Sequence, residues 1–373
     1  MIMHYDLAVV GAGIIGLAHA LAAARRGLRV VVIDRDRQAN GASIRNFGLV
    51  VVTGQAPGIS RRRAERTREI WLDLAAEAGL DILHTGKLVA ARRPEALAVL
   101  EAFSAGLDGR ECRMLTADET AAHQPGLAAE RVVGGLYSPF ELRVESRDVL
   151  PRLAAFLGER HAVEFRLGVA VSSVEPTALQ TSDGPVHAAR IVVCPGDDLT
   201  TLCRERIAHY GVRRCKLQML RLADPGMRLN SALVSDLSLL RYGGYTGLDE
   251  AAALKQRLMR ECPLALDNGV HLIVVQSADG SLIVGDSHHY AETPDPFASD
   301  AVDRLILDEY AALFGAPPPV IARWTGTYAS APGNDCFSDA PHRDVRLVMV
   351  TSGTGASTCF AIGEETVADL FAV

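Results

Sequence analysis

Gly11, Gly13 and Gly16, spaced G-x-G-x-x-G and followed by an acid at Asp34, meet the demands of a bound diphosphate. Gly11 permits a tight turn, Gly13 lets a pyrophosphate approach bare backbone, and Gly16 lets a helix pack closely on a strand. A helix starting there would present unpaired N–H groups and a partial positive charge to the phosphates. Asp34 would accept hydrogen bonds from adenosine ribose hydroxyls and disfavour a 2′-phosphate, so NADP is not expected. The motif by itself does not separate FAD from NAD. A second set of residues suits a small substrate. His288 and His289, near Asp286, could bind an anion or steer protons, although a solvated turn also accommodates them. No further ligand has telling spacing, so no metal is expected. Arg323 could grip a phosphonate or carboxylate bidentately, with Trp324 and Tyr328 beside it, or serve a structural role. Tyr242 and Tyr245, in Arg-Tyr-Gly-Gly-Tyr, could form a lid or a rigid turn. Lys216, near Gln218, would be a fixed cation that favours electron transfer to oxygen if its strand approached a redox group; a surface lysine is the ordinary alternative.

These residues need elements to hold them. Tyr5–Val10 is an apolar run suited to a buried parallel strand, Leu17–Arg26 reads as a helix ending at Gly27, and Arg29–Ile33 is a second buried strand ending at Asp34. The order strand, glycine turn, helix, strand, acid makes one βαβ unit. The loop Asn40–Gly48 is small and polar, and leaves the strand edge beside the nucleotide crevice. Segments 164–171 and 190–196 bracket a hairpin-like region at Asp183-Gly184, and Gly196 ends an apolar strand where backbone could again approach a cofactor. Arg346–Val350 runs into the glycine-rich turn Gly353-Thr-Gly355-Ala356-Ser357-Thr358, then a helix from about Phe360 to Phe371. The N-terminus of that helix could stabilise negative charge on a reduced flavin.

Further strands are expected at Cys215–Leu222, Val270–Gln276 and Ser281–Gly285, the last two joined through Asp279-Gly280. Asp300–Phe314 reads as an amphipathic helix, stopped by Pro317-Pro-Pro319.

Hydrophobic content of 49% and charged content of 22% are those of a globular protein, and 373 residues allow two interleaved domains. A net charge of −7 gives no basic footprint for nucleic acid or membrane surfaces, and no stretch is apolar for long enough to span a bilayer. The seven cysteines include no C-x-x-C pair and no targeting segment precedes the first strand, so a cytoplasmic protein with reduced thiols is expected.

The succession GAGIIG…IDRD, NGASIRNFG, IVVCPG and VTSGTGAS before a terminal helix resembles the D-amino-acid oxidase-like flavoproteins, including glycine and sarcosine oxidases. VVQSADGSLIVGDSHHY, RWTGTYASAP and GTGASTCFAIGEE resemble a bacterial subgroup associated with aminophosphonate breakdown. The resemblance implies an α/β fold: a Rossmann-like FAD-binding domain with an interleaved α+β substrate domain on a mixed, largely antiparallel sheet. Residues 1–83, 141–211 and 323–373 would form the first domain, and 84–140 and 212–322 the second. FAD would be contacted by Gly11, Gly13, Gly16, Asp34, Ser43, Val171, Gly196 and Gly353 to Thr358. Arg35, Arg45 and Asn46 join these candidates, with phosphate contact or loop structure explaining Arg45 and Asn46 equally well.

Two departures stand out. Sarcosine oxidase-like members attach flavin through a Cys after an Arg-Trp pair. Here Thr325 follows Arg323-Trp324, so FAD should be non-covalent. Glycine oxidase-like members carry a carboxylate-binding Arg after the position of Gly326. Here Thr327 and Tyr328 follow, which argues against an ordinary α-amino acid. The implied reaction is oxidation of a C–N bond in a small anionic amine, such as 2-aminoethylphosphonate or its N-methyl form, with oxygen as acceptor and hydrogen peroxide as product. Catalytic candidates are Lys216, His288, Arg323 and Tyr328; substrate-binding candidates are Tyr242, His288, His289, Arg323, Trp324 and Tyr328. The alternative is an FAD-dependent dehydrogenase of a 2-hydroxy acid or amino acid that passes electrons to another carrier. Besides the small amine and oxygen no partner is expected, and the chain should be a monomer or small homo-oligomer.

Overall fold

The structure, a computed structural model, describes residues 4–107 and 112–372. The expected domain limits at Met1 and Val373 lie outside the described residues.

Strand His4–Val10 lies at the centre of an eight-stranded sheet, parallel to Val30–Asp34 on one side and to Gly184–Val193 on the other. Leu7, Ala8 and Val9 are all fully buried, so consecutive side chains on both faces are covered. That is why the sequence shows a continuous apolar run there and no alternation. Helices Ile14–Ala24 and Gly355–Leu370 cover one face and nearly touch: a Cβ on Gly363 would lie 2.7 Å from the carbonyl oxygen of Ala18. Helix Ile59–Ala78 packs on the last helix, with Trp71 edge-on to Phe360 at 5.0 Å.

A second, ten-stranded sheet is mixed and largely antiparallel. Its longest ladder joins Arg213–Leu222 to Val320–Ser330, and Ile273–Gln276 pairs with Leu282–Gly285 as the hairpin signal at Asp279-Gly280 predicts. Helix Asp300–Phe314 has the expected bounds. The fold is thus the expected α/β class with mixed sheets. The domain division remains a proposal; its boundaries at 141 and 323 fall inside strands Gly134–Val144 and Val320–Ser330 of the second sheet.

The last helix departs from expectation. It starts at Gly355 rather than near Phe360, because Ala356, Ser357 and Thr358 continue as helix instead of turn. The helix N-terminus therefore lies within the glycine-rich motif itself.

Candidate active site

The dinucleotide crevice is defined by backbone. Gly11 sits at φ +106°, and a Cβ there would lie 2.4 Å from the carbonyl oxygen of Cys194, which belongs to the adjoining strand's end. A Cβ on Gly16 would lie 1.8 Å from the Gly11 oxygen, so the turn closes only with glycine at both places. Gly13 is the N-cap of the first helix and offers no side chain, leaving the first-turn N–H groups after that of Ile14 for a phosphate. The Ile14 N–H donates to Ser43 Oγ at 3.0 Å, which fastens the 40–48 loop over this turn. Asp34 accepts from the Ala12 N–H at 2.6 Å and the Asp36 N–H at 2.8 Å. Each carboxylate oxygen keeps a lone pair for a ribose hydroxyl.

One cavity of about 470 Å³ runs from this crevice to the second sheet. Its walls include Gly13, Ser43, Arg45, Asn46, Gly196 and Gly353 to Ser357. Two helix N-termini thus open on one space, at Gly13 and at Thr354, and neither N-cap residue supplies a side-chain cap. These features fit FAD: a cradle that a Cβ would fill at one end and a positive helix terminus at the other. Other cofactor candidates lie elsewhere. Arg35 donates to Asp198 Oδ2 at 2.6 Å, Val171 is buried in a strand outside the cavity, and Thr358 is buried with its hydroxyl on the Thr354 carbonyl at 3.0 Å. The Asn46 side chain is engaged in its loop, taking the Gly48 N–H at 2.6 Å and donating to the Ala42 carbonyl at 2.8 Å. Arg45 donates to Asn40 Oδ1 at 3.0 Å, on the cavity wall.

At the far end the cavity is lined by Arg241, Tyr242, His271, Asp286, His288 and Tyr328. Arg241 donates to Tyr328 Oη at 2.9 Å and to Tyr290 Oη at 3.2 Å. Burial opposes its charge, but Tyr328, Tyr290 and Asp286 more than offset this and push its pKa up. Burial holds the Tyr328 hydroxyl neutral, far above its ordinary range. Burial and the Arg241 charge hold His271 and His288 well below the usual histidine range, so both are neutral. Burial pushes Asp286 up to about 7.

Several sequence expectations are corrected. Lys216 is turned away from the cavity and donates to the Phe297 carbonyl at 2.9 Å; its neighbour Leu217 faces the cavity, because successive strand residues point to opposite faces. Arg323 is outside the cavity, half-exposed and paired with Asp303 at 2.9 Å. Trp324 donates to the Arg45 carbonyl at 3.3 Å and packs against the second-sheet core instead of lining the cavity. His289 faces Asn268 at 3.0 Å and is also outside. Tyr245 is buried against Phe103, ring centroids 4.6 Å apart, so only Tyr242 of the expected lid reaches the cavity. The Gly244 N–H is pinned to the Gly54 carbonyl at 2.9 Å, as a rigid turn requires.

Sequence reasoning missed Arg241 and His271. Arg241 stands directly before Tyr242, so the Arg-Tyr-Gly-Gly-Tyr segment held the signal. His271 had none. Extending the hairpin register beyond Ile273 opposite Gly285 would place Leu272 opposite Asp286, but a one-residue slip puts His271 there, with both backbone bonds made at 3.1 and 2.9 Å. His271, Asp286 and His288 bring together donor types that could hold a metal, all buried. The neighbouring guanidinium of Arg241 opposes a further cation.

A dinucleotide crevice at the parallel strands of one mixed sheet, continuous with a substrate-sized cavity on a second mixed sheet, defines a nucleotide-dependent redox enzyme fold. Residues 6–369 match the DAO family, described as FAD dependent oxidoreductase, and the chain belongs to it. Glycine oxidase of Geobacillus kaustophilus is 27% identical over 52% of this chain and 55% of its own length. Monomeric sarcosine oxidase of a Bacillus species is 25% identical over 52% of each chain. The chain thus spans about half the length of these curated relatives. The crystal structure of the Geobacillus kaustophilus glycine oxidase superposes with a TM-score of 0.77 at 19% identity, covering 98% of this chain and 94% of that one. Among the described residues, no helix is long and apolar enough to cross a membrane.

Proposed function

We propose that the protein oxidises the C–N bond of a small anionic amine, with an aminophosphonate such as 2-aminoethylphosphonate or its N-methyl form as substrate and oxygen as acceptor. The observation that carries this reading is Arg241. It is the guanidinium at the substrate end of the cavity, braced by two tyrosine hydroxyls, and its pKa is raised. A planar, permanently charged fork of donors suits a phosphonate or a carboxylate. Its support from Tyr290 and Tyr328 fixes its orientation before substrate arrives, so little is lost in ordering it.

Gly11, Gly13, Gly16 and Asp34 would hold the adenosine diphosphate part of FAD, and the turn Gly353–Ser357 its far end. Bound FAD supplies the hydride acceptor for the carbon next to nitrogen. The chain's own work is to anchor the anion on Arg241, so that this carbon is held in one orientation, and to keep water out with Leu217, Ile273 and Tyr242 along the wall. The imine product then takes up water and hydrolyses to a carbonyl compound and ammonia, or methylamine from the N-methyl form.

One observation favours a different acceptor. Lys216, the cation expected to assist oxygen, faces away from the cavity. That is consistent with a dehydrogenase passing electrons to another carrier. The test is anaerobic bleaching of the yellow protein by 2-aminoethylphosphonate and its N-methyl form, followed by oxygen. Bleaching and stoichiometric peroxide on reoxidation are expected. Absence of bleaching by these amines would remove the aminophosphonate reading, and bleaching without peroxide would favour the carrier.

A further inference from the structure

Three groups at the substrate end take no part in gripping the anion. The Nδ1 sides of His271 and His288 are occupied, by Ser238 Oγ at 2.9 Å and by the Gly269 carbonyl at 2.9 Å. A carbonyl can only accept, so Nδ1 of His288 carries the hydrogen, and the neutral ring leaves Nε2 as a bare lone pair. That lone pair faces Asp286 Oδ2 at 3.6 Å. Asp286 Oδ1 lies 3.1 Å from His271 Nε2 without hydrogen-bond alignment, and it has no partner although it is buried. Two acceptors thus face each other in a buried wall with no donor between them, which is costly unless a proton enters.

Resting on the reading above, we infer that Asp286, with His288 and His271 around it, takes a proton from the substrate ammonium on binding, so that the amine is neutral when its neighbouring C–H bond breaks. An N–H bond of the ammonium breaks, and an O–H bond forms on Asp286 that points to Nε2 of His288. No electrons leave the amine in this step; its lone pair is freed to become the C=N bond as hydride departs. The Asp286 proton returns to solvent when product leaves.

The surrounding charges suit this role. The groups facing the trio are Arg241, Tyr242, Cys215, Tyr290, Tyr328 and His289, and none is an acid. The other carboxylate on the cavity wall, Asp335, accepts from Ser60 at 2.8 Å in an exposed position. Burial places Asp286 at about 7, so it is ionised and ready above neutrality and already protonated below it. Arg241 stops the carboxylate from rising further.

The test uses the FAD-loaded protein and 2-amino-2-methylpropylphosphonate, which has no hydrogen on the carbon next to nitrogen and cannot be oxidised. Its control is 2,2-dimethylpropylphosphonate, in which a methyl group replaces the amine. With ¹⁵N label in the amine, the bound ligand at pH 8 should resonate as a neutral amine in the wild type and as an ammonium in Asp286→Asn. The affinity ratio of amine to control, read from the flavin absorbance, should rise about tenfold from pH 6 to pH 8, as expected for an acceptor that ionises at about 7. Each affinity is first corrected for that ligand's own phosphonate ionisation, which differs between the two because the ammonium acidifies its phosphonate. In Asp286→Asn it should be flat, with the control still bound as tightly.

An ammonium signal or a flat ratio in the wild type, which needs no variant to fold, overturns the inference. So does an equal loss of both ligands in a folded Asp286→Asn protein. If neither phosphonate binds, the aminophosphonate reading falls on its own. 2-Aminoisobutyrate against 2,2-dimethylpropanoate then tests the acceptor by the same two readouts, with the same outcomes for and against.

Discussion

The two ends of the cavity are built from different parts of the chain's chemistry. At the cofactor end the decisive groups are backbone: the turn at Gly11, the helix N-terminus at Gly13, which has no side-chain cap from its N-cap residue, and a second helix terminus at Thr354. At the substrate end they are side chains gathered from distant segments: Arg241 before a short helix, His271 and Asp286 across a hairpin, and Tyr328 on a long strand. A backbone cradle tolerates almost no change in its glycines, because the space for a Cβ is already filled by carbonyl oxygens. A side-chain cavity can exchange one residue for another and take a new ligand while its framework stands. Accordingly the position after Gly326 holds no arginine, and Arg241 offers a guanidinium from another element.

This contrast can be broken in order of expected effect. Gly16→Ala should be the most damaging change, since its Cβ would overlap the Gly11 carbonyl at 1.8 Å. We expect a colourless protein that fails to take up FAD in an equilibrium absorbance titration; tight flavin binding by this variant would refute the crevice. Arg241→Met should leave the flavin spectrum intact but raise KM for the anionic amine at least ~30-fold, about 2 kcal/mol for a lost charged hydrogen-bonding partner. Steady-state kinetics that leave KM unchanged would mean the anion binds elsewhere. Asp34→Asn keeps one acceptor oxygen and should weaken FAD by roughly tenfold, about 1.4 kcal/mol, with substrate KM unaltered in FAD-saturated enzyme. The smallest effects should come from residues outside the cavity. Arg323→Ala loses a half-exposed ion pair with Asp303, worth at most about 1 kcal/mol in a denaturant melt, and should leave KM within about twofold. Lys216→Met should leave reoxidation of the reduced protein by oxygen within about twofold, because Lys216 is bonded to the Phe297 carbonyl and faces away from the cavity. A tenfold slowing in stopped-flow absorbance would restore its role in oxygen chemistry.

The βαβ unit was legible from the sequence because its signals are local. Gly11, Gly13 and Gly16 are close in the chain, and Asp34 follows at the end of the next buried strand. Helix Asp300–Phe314 was legible for the same reason, its apolar spacing and the prolines that follow being self-contained. The start of the last helix was read late because glycine and small polar residues favour turns in isolation, whereas here Ser357 accepts the Val51 N–H at 2.8 Å and Trp71 donates to the Ala356 carbonyl at 2.9 Å. Lys216 was misplaced because residue type suggests what a side chain can do, and strand phase decides which face it does it on. Arg323 was misplaced because it lies near the start of its strand, and the cavity is lined by that strand only from Gly326 onward.

The local order of residues therefore determined the glycine turn, the acid at the end of the second strand and the class of fold, since each depends on backbone conformation over a few consecutive positions. The tertiary structure alone decided which cation lines the far end of the cavity and that His271 joins Asp286 and His288. Arg241, His271 and the neighbouring pair Asp286 and His288 are separated in sequence by whole elements, and a one-residue slip at a strand end brings His271 opposite Asp286.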